Sequence, residues 1–254
     1  MTVEDTLQDR VAIVTGAAQG IGRATALRLA AEGAVVACAD IQDCAGTVAL
    51  AEKEGGRAVA VELDVRRAAD WEGAVAGLVA EHGRIDLLAN VAGVVNLLSP
   101  DTVVGLTEDA WDVVIDTDLK GVWLGMRAVI PAMVDAGGGR IVNIASMAAL
   151  RGLPNLASYS AAKGGVVGLT QQAAFEYADQ GVLVNAIAPG TIDTPILAGI
   201  TDEMRAANAD AHLVRRLGRP DEIAAMVAYL FREGSFQTGI TFPVDGGWAA
   251  KGNF

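Results

Sequence analysis

Short apolar runs rich in β-branched residues alternate with longer Ala-rich stretches along nearly the whole chain, and this alternation constrains the fold more than any other feature. Apolar strands separated by helices are typical of parallel strands that are buried on both faces and joined by right-handed crossovers. Predicted strands cover 10–15, 34–39, 58–63, 85–90, 140–145, 182–187 and 240–244, and predicted helices cover 20–31, 43–54, 68–81, 108–134, 158–178 and 220–231. The pattern predicts an α/β fold with a doubly wound parallel sheet and helices on both faces.

The domain organisation follows from the same pattern. No linker-like segment or internal repeat interrupts it, so we expect one domain over residues 1–254. The irregular stretch 189–219 is too long for a passive connection in a compact domain. We therefore predict that it forms a substrate loop.

Charge and composition exclude several classes of partner. A formal net charge of -12 argues against nucleic acid, because a phosphate-binding face requires clustered Lys and Arg. No apolar run approaches the ~18 residues that cross a bilayer, and the acidic N-terminus lacks the apolar segment of a secretion signal. Cys38 and Cys44 suit a reducing compartment, and the two histidines, His82 and His212, lack metal-ligand spacing. We expect a cytoplasmic protein with no membrane partner and no metal.

A glycine-rich turn, "TGAAQGIG", joins the first predicted strand to the first predicted helix. Gly16, Gly20 and Gly22 would let backbone N–H groups approach a pyrophosphate at the positive end of the helix. Asp40, at the end of the second strand, would accept ribose hydroxyls and repel a 2′-phosphate. No Arg or Lys lies between Gly16 and Gly22, so NAD is favoured over NADP. The alternative is that Asp40 only caps the next helix.

Two further strand ends carry polar groups that point to the same crevice. Asp64 in "LDV" would meet an adenine amino group, and Asn90 in "ANVAG" ends the next strand. Ligands of an open parallel sheet bind outside the carboxyl ends of its strands. These positions predict a nucleotide site.

Tyr159 and Lys163 lie one helical turn apart in "SYSAAKGG" and would share a helix face. An unperturbed tyrosine, with a pKa of about 10, is a poor base near neutrality. A nearby ammonium and an oxidised nicotinamide would stabilise the phenolate and lower that pKa. Ser146 ends a strand, where its hydroxyl would hold a substrate oxygen. Each residue also has an ordinary interpretation: a capping serine, an amphipathic tyrosine and a solvated lysine.

These segments resemble, in order and spacing, the short-chain dehydrogenase/reductase family, from Arg10 to the "VDGG" at 244–247. The resemblance implies a seven-stranded Rossmann-type sheet and hydride transfer between nicotinamide C4 and an alcohol or carbonyl carbon. It implies that Tyr159 is the general acid/base, that Ser146 orients the substrate oxygen, and that Lys163 binds the nicotinamide ribose and lowers the tyrosine pKa.

The resemblance also implies which residues bind the cofactor. The turn residues would hold the pyrophosphate, the ends of the next strands the adenosine, and the last segment the nicotinamide. In chain order they are Gly16, Gln19, Gly20, Ile21, Gly22, Asp40, Ile41, Asp64, Val65, Asn90, Ala92, Gly93, Tyr159, Lys163, Pro189, Gly190, Ile192 and Thr194.

The chain departs from the family pattern at Asp118, where relatives commonly have an asparagine that positions a relay water near the lysine. If Asp118 occupies that place, it is a candidate catalytic residue whose charge raises the pKa of Lys163. The alternative is a surface acid beside Asp116 and Lys120.

The leading functional hypothesis is an NAD-dependent dehydrogenase that interconverts a secondary alcohol, hydroxysteroid-like or otherwise apolar, and its ketone. A 3-oxoacyl-carrier-protein reductase and a nonenzymatic NAD(H)-responsive regulator remain as alternatives; the intact Ser146, Tyr159 and Lys163 disfavour the regulator. Pocket candidates are all apolar: Val95, Leu97, Met147, Leu153, Ile196 and Leu197.

The prediction of an oligomer rests on helices that carry more apolar residues than packing against one sheet face would bury. Helices 108–134 and 158–178 carry such residues, and Trp248 and Phe254 near the C-terminus look exposed. The helical candidates are Ala128, Met133, Val167 and Ala174. Relatives typically pair these helices, so we expect a homotetramer.

Overall fold

A seven-stranded sheet runs through the computed structural model, which describes residues 7–96 and 100–251. Its order is β3-β2-β1-β4-β5-β6-β7, and every neighbouring pair is parallel. The strands are β1 Val11–Thr15, β2 Val35–Asp40, β3 Arg57–Glu62, β4 Leu87–Asn90, β5 Gly139–Ile144, β6 Val182–Pro189 and β7 Thr241–Val244. The chain reverses direction across the sheet between β1 and β4, which confirms the predicted doubly wound fold.

Helices cover both faces of the sheet. They are α1 Gly20–Ala31, α2 Ala45–Lys53, α3 Ala68–His82, α4 Glu108–Ile115, α5 Gly121–Asp135, α6 Ala157–Tyr177, α7 Asp202–Ala211 and α8 Pro220–Arg232. Alternate residues of β1 enter opposite cores: Ala12 and Val14 pack with α1 and α8, whereas Val11 and Ile13 pack with α3, α5 and α6. This two-sided burial explains why the strands are apolar throughout. No described helix is long and apolar enough to cross a bilayer.

The sequence pattern predicts strands that are buried on both faces, but strand β3 is not. Its residues are exposed or half-buried, and Val59 retains 40% exposure. The reason is its position, since β3 ends the sheet and pairs only with β2.

The helix predicted over 108–134 is interrupted. A π-helical segment, Asp116–Lys120, separates α4 from α5. Such wider turns often occur at functional sites. Within this one, Asp118 is fully buried, whereas the side chain of Asp116 is 45% exposed.

The predicted irregular stretch 189–219 contains α7 and a 3₁₀ turn, Pro195–Leu197. Thr201 caps α7 by accepting a hydrogen bond from the Met204 N–H at 3.2 Å. None of the ten residues of α7 is buried, so the apolar periodicity that marks the other helices is missing here.

None of the four helical residues predicted to form an assembly surface is exposed. Met133 and Ala174 are buried in the core, and Ala128 and Val167 pack against it. The exposed apolar residues of the same helices are Trp111, Trp123 and Phe175, of which Phe175 is 87% exposed.

Candidate active site

A cleft of about 740 Å³ lies at the carboxyl ends of the central strands, where the strand order reverses. Eighteen predicted site positions lie on it. They are Gly16, Gln19, Gly20, Ile21, Gly22, Asp40, Ile41, Asp64, Val65, Ala92, Gly93, Ser146, Tyr159, Lys163, Pro189, Gly190, Ile192 and Thr194. Asn90 and Asp118 do not line it.

The glycine turn is built for close backbone approach. Gly16 has φ +66°, and a Cβ added there would lie 2.9 Å from the Ala92 Cα. Gln19, the N-cap of α1, makes no side-chain hydrogen bond to the first turn within the described structure. The first N–H groups of α1 thus have no side-chain cap among the described residues, and Gly20, Ile21 and Gly22, which carry them, line the cleft. This arrangement fits the pyrophosphate of a dinucleotide.

Asp40 is buried at the end of β2 and holds the neighbouring turn together. Its Oδ2 accepts the Ala18 N–H at 3.0 Å, and its Oδ1 accepts the Gln42 N–H at 3.0 Å. The alternative that Asp40 caps the next helix is wrong, because α2 begins at Ala45 and its N-cap is Cys44. The carboxylate thus remains beside the cleft.

Asp64 is paired within the protein. The Arg66 guanidinium donates to its two carboxylate oxygens at 2.9 and 2.6 Å, and this pairing holds the pKa of Asp64 below its usual value. Sequence reasoning missed Arg66, although it lies two residues after Asp64. Among the described cleft residues, Arg66 and Lys163 are the basic ones.

Asn90 requires a correction. Its side chain is buried and donates from Nδ2 to the Asn143 Oδ1 at 2.8 Å, which links the ends of β4 and β5. Because side chains alternate along a strand, its position at the strand end did not determine which way the amide points. Asn90 therefore does not line the cleft, and it acts only by holding two strand ends together beside it.

Ser146, Tyr159 and Lys163 come together as predicted. The Lys163 Nζ lies 5.5 Å from the centroid of the Tyr159 ring and donates to the Ile144 carbonyl at 3.0 Å. The Ser146 hydroxyl accepts the Ala148 N–H at 3.1 Å, so the capping interpretation of this serine also holds. Burial raises the pKa of Tyr159, and the neighbouring Ser146 hydroxyl partly opposes this rise.

Asp118 lies behind Lys163 rather than on the surface. Its Oδ2 is 3.1 Å from the Lys163 Nζ, and the side chains are 0% and 2% exposed, respectively. Its Oδ1 accepts the Val94 N–H at 2.8 Å. The surface alternative is therefore wrong, and the charge of Asp118 acts directly on the lysine.

The electrostatic balance at Tyr159 differs from the expectation. Burial raises the pKa of Tyr159; Lys163 and Ser146 lower it, but they do not outweigh burial and the Asp118 charge. Burial lowers the pKa of Lys163, but Asp118 and Tyr159 more than offset this and leave it raised. Burial also raises the pKa of Asp118.

Nine further cleft residues, which we call the substrate wall, are uncharged. They are Val95, Met147, Leu153, Leu156, Ile196, Leu197, Ile200, Asn208 and Trp248. Five of them were predicted, whereas Leu97 and Phe254 lie outside the described residues. Trp248 was expected at an exposed partner surface, but it is half-buried against the His212 ring at 5.2 Å between centroids. No local sequence pattern places Trp248 on the cleft.

Comparison with known proteins agrees with this architecture. Residues 16–249 match the family described as "Enoyl-(Acyl carrier protein) reductase". A cis-4-hydroxycyclohexanecarboxylate dehydrogenase from Sinomonas cyclohexanicum is 43% identical over 248 residues, which cover 95% of this chain and 97% of the relative. A cyclohexanol dehydrogenase from Acinetobacter sp. (strain SE19) is 39% identical over 246 residues, 96% of each chain.

A solved structure extends the likeness to three dimensions. The crystal structure, with NADP bound, of an Agrobacterium tumefaciens protein assigned as a 2-deoxy-d-gluconate 3-dehydrogenase has a TM-score of 0.89 at 35% identity, covering 98% of this chain and 100% of that chain. The chain belongs to the short-chain dehydrogenase/reductase family. It is an oxidoreductase that acts on CH–OH groups with a nicotinamide cofactor.

Proposed function

We propose that the chain is an NAD-dependent dehydrogenase that interconverts a neutral cyclic secondary alcohol and its ketone. The observation that carries this proposal is the uncharged substrate wall beside Ser146 and Tyr159. Such a wall would bury an apolar ring and offers no cation to a substrate carboxylate. Two relatives named for cyclohexane-ring alcohols support a cyclic substrate; the cyclohexanol dehydrogenase supports a neutral one, whereas the other relative is named for a hydroxycarboxylate.

The site residues would share the proton chemistry. When bound, the nicotinamide cofactor supplies the group that accepts or gives the hydride. In alcohol oxidation, Tyr159 takes the hydroxyl proton, and in ketone reduction it returns that proton to the oxygen. Ser146 donates a hydrogen bond to the same oxygen. Lys163, held by the Ile144 carbonyl and Asp118, favours the phenolate by its charge.

The preference for NAD over NADP rests on Asp40. Its carboxylate is anchored by two backbone N–H groups on the cleft, where a 2′-phosphate would meet a fixed negative charge. Arg66 lies on the same cleft, but Asp64 neutralises it. The bound NADP in the solved relative shows which cofactor that protein holds and does not determine whether this chain selects NAD or NADP.

A 3-oxoacyl-carrier-protein reductase is the second candidate, because the matched family carries an acyl-carrier-protein description. The net charge of -12 disfavours it, since an acidic carrier would meet an acidic surface. The regulator hypothesis has less support, because a protein that only binds NAD(H) does not need the Ser146 hydroxyl or an acid/base at Tyr159.

We also propose a homotetramer in the cytoplasm. The exposed Trp111, Trp123 and Phe175 support pairing through α4, α5 and α6. Cys38 and Cys44 are free and buried, which suits a reducing compartment.

The test mixes the protein with NAD and each member of a panel of neutral and carboxylated cyclohexanols. The absorbance of the reduced nicotinamide then reports oxidation of the alcohol. We expect oxidation of the neutral alcohols, and Tyr159→Phe should lower turnover by roughly 10² or more because it removes only the acid/base hydroxyl. Tyr177→Phe, at the far end of α6, is the matched control and should retain activity. Normal turnover by Tyr159→Phe would contradict the mechanism.

A further inference from the structure

His212 follows α7 directly and is a buried titratable group that the proposed reaction does not use; only 2% of it is exposed. Its Nε2 accepts the Thr191 N–H at 3.1 Å, and its Nδ1 lies 2.7 Å from the Asn208 carbonyl oxygen. A backbone N–H can only donate, so Nε2 carries no proton and Nδ1 donates to Asn208. The geometry therefore defines a neutral ring with its proton on Nδ1.

The partner of this ring lies within the predicted nicotinamide segment, 189–194. Thr191 sits between Gly190 and Ile192, and its hydroxyl donates to the Asn208 Oδ1 at 3.0 Å. The end of α7 thus binds Thr191 through both the backbone and the side chain. A Cβ added at Gly190 would lie 2.5 Å from the His212 Nε2, so the ring can approach this closely only because residue 190 is glycine.

These polar contacts matter because α7 has little else to hold it. None of its ten residues is buried, so apolar packing contributes little to its attachment. Besides the His212 and Asn208 contacts, Arg205 pairs with Asp193 at 3.0 Å, again in segment 189–194. Elements with few buried apolar contacts open at low free-energy cost. Lys251 also donates to the Asp210 carbonyl, so the position of α7 depends largely, but not entirely, on that of segment 189–194.

We propose that His212 is a positioning residue that couples segment 189–194 to the substrate wall, so that cofactor binding orders α7. Asn208, on α7, is both a wall residue and a partner of Thr191. A cofactor that immobilises segment 189–194 also immobilises Thr191. The hydrogen bond between Thr191 and His212 then restrains the end of α7. The inference rests on the proposed function, because it requires NAD at the predicted place.

The first test reads the ring itself in the protein saturated with NAD, where the proposal requires the Thr191 bond to be formed. The chain has two histidines, so ¹⁵N correlation spectra of the wild type and of His82→Gln assign the His212 nitrogens. We expect a protonated Nδ1 and an unprotonated Nε2. A ring protonated on Nε2, or one that averages between tautomers, would overturn the proposal, since either requires that the Thr191 bond is broken.

The second test measures coupling by amide hydrogen exchange of residues 202–211, with and without saturating NAD. In the wild type we expect NAD to slow exchange by roughly tenfold, about the effect of losing one buried hydrogen bond. His212→Leu, which keeps apolar bulk but cannot accept the Thr191 N–H, should remove most of that slowing and leave only the part carried by the Asn208 and Arg205 contacts. His212→Gln, whose amide oxygen can accept it, should retain part, and His82→Leu is the matched control.

Calorimetric titration with NAD separates this inference from the proposed function. If the wild type fails to bind NAD, the proposed function falls, and the coupling with it. If NAD binds both the wild type and His212→Leu, and slows exchange of 202–211 equally in both, then only the coupling is wrong.

Discussion

Lys163 and Asp118 form a buried ion pair at the centre of the site, with both side chains at most 2% exposed. Two buried charges are costly to desolvate, and removing one partner leaves the other uncompensated. The pair therefore has two effects: it keeps Lys163 charged, and it places a negative charge where it opposes ionisation of Tyr159.

We expect Asp118→Asn to shift the pH profile of alcohol oxidation. In the proposed mechanism oxidation needs the Tyr159 phenolate, so kcat/KM should rise as pH passes the tyrosine pKa. The Asp118 charge raises that pKa, and its removal should lower it. The acidic limb of log(kcat/KM) against pH should move to lower pH. The unfolding free energy should fall by about 3 kcal/mol, because Lys163 loses its buried partner.

The control for this experiment is Asp116→Asn, which removes a charge two residues away in the same π-helical segment. Asp116 is half-exposed and pairs with Lys120, so its profile should match the wild type. A superimposable profile for Asp118→Asn would show that its charge does not reach the phenol.

Asp40 leads to a prediction about cofactor choice. The wild type should use NAD at least roughly tenfold more efficiently than NADP, which corresponds to about 1.4 kcal/mol. Asp40→Asn keeps an acceptor for one of the two neighbouring N–H groups and removes the charge, so the ratio of the NAD to the NADP kcat/KM should fall. Asp43→Asn, an exposed acid near the start of α2, should leave it unchanged. Equal efficiencies in the wild type would refute the assignment.

At the scale of elements, helix α6 depends on a cap from a distant segment. Its N-cap, Leu156, makes no side-chain hydrogen bond in the described structure. Instead, the buried Asp101 accepts the Ser158 N–H at 2.9 Å and the Ser158 hydroxyl at 2.8 Å. Because Tyr159 is the next residue, this cap fixes the turn that carries the proposed acid/base.

Asp101→Ala should therefore lower the unfolding free energy by roughly 1–2 kcal/mol, as loss of a helix cap does. Ser158→Ala should cost less, because it retains the backbone bond to Asp101. Urea denaturation measures both, with the exposed Asp112→Ala as control. Equal stability of Asp101→Ala and Asp112→Ala would show that the cap contributes nothing.

Elements that bury apolar residues with a regular period were predictable from the sequence, and elements held by polar contacts were not. Strand β1 and helix α8 bury apolar faces, so their patterns gave their positions. Helix α7 buries none of its residues and was missed. Within the site, the helical spacing placed Tyr159 beside Lys163, but no local pattern shows that Asn90 turns toward Asn143 or that Trp248 reaches the cleft.

At the scale of the whole molecule, the exposed aromatic residues of α4, α5 and α6 bear on assembly. We expect light scattering at micromolar concentration to report a tetramer. Phe175→Lys should shift it to smaller species, because it places a charge where an 87% exposed ring would be buried. Leu50→Lys, on α2 and 41% exposed, is the control. A wild-type monomer would refute the proposal.

The two buried cysteines make the folded chain a poor target for alkylating reagents. Burial raises the pKa of Cys38 to about 12 and that of Cys44 to about 11, and the reactive species is the thiolate. Iodoacetamide should therefore modify them only when β2 and the start of α2 open. Asp40 ends the same strand as Cys38. The labelling rate therefore measures how often this strand, at the proposed adenosine site, opens. Bound NAD should slow the labelling.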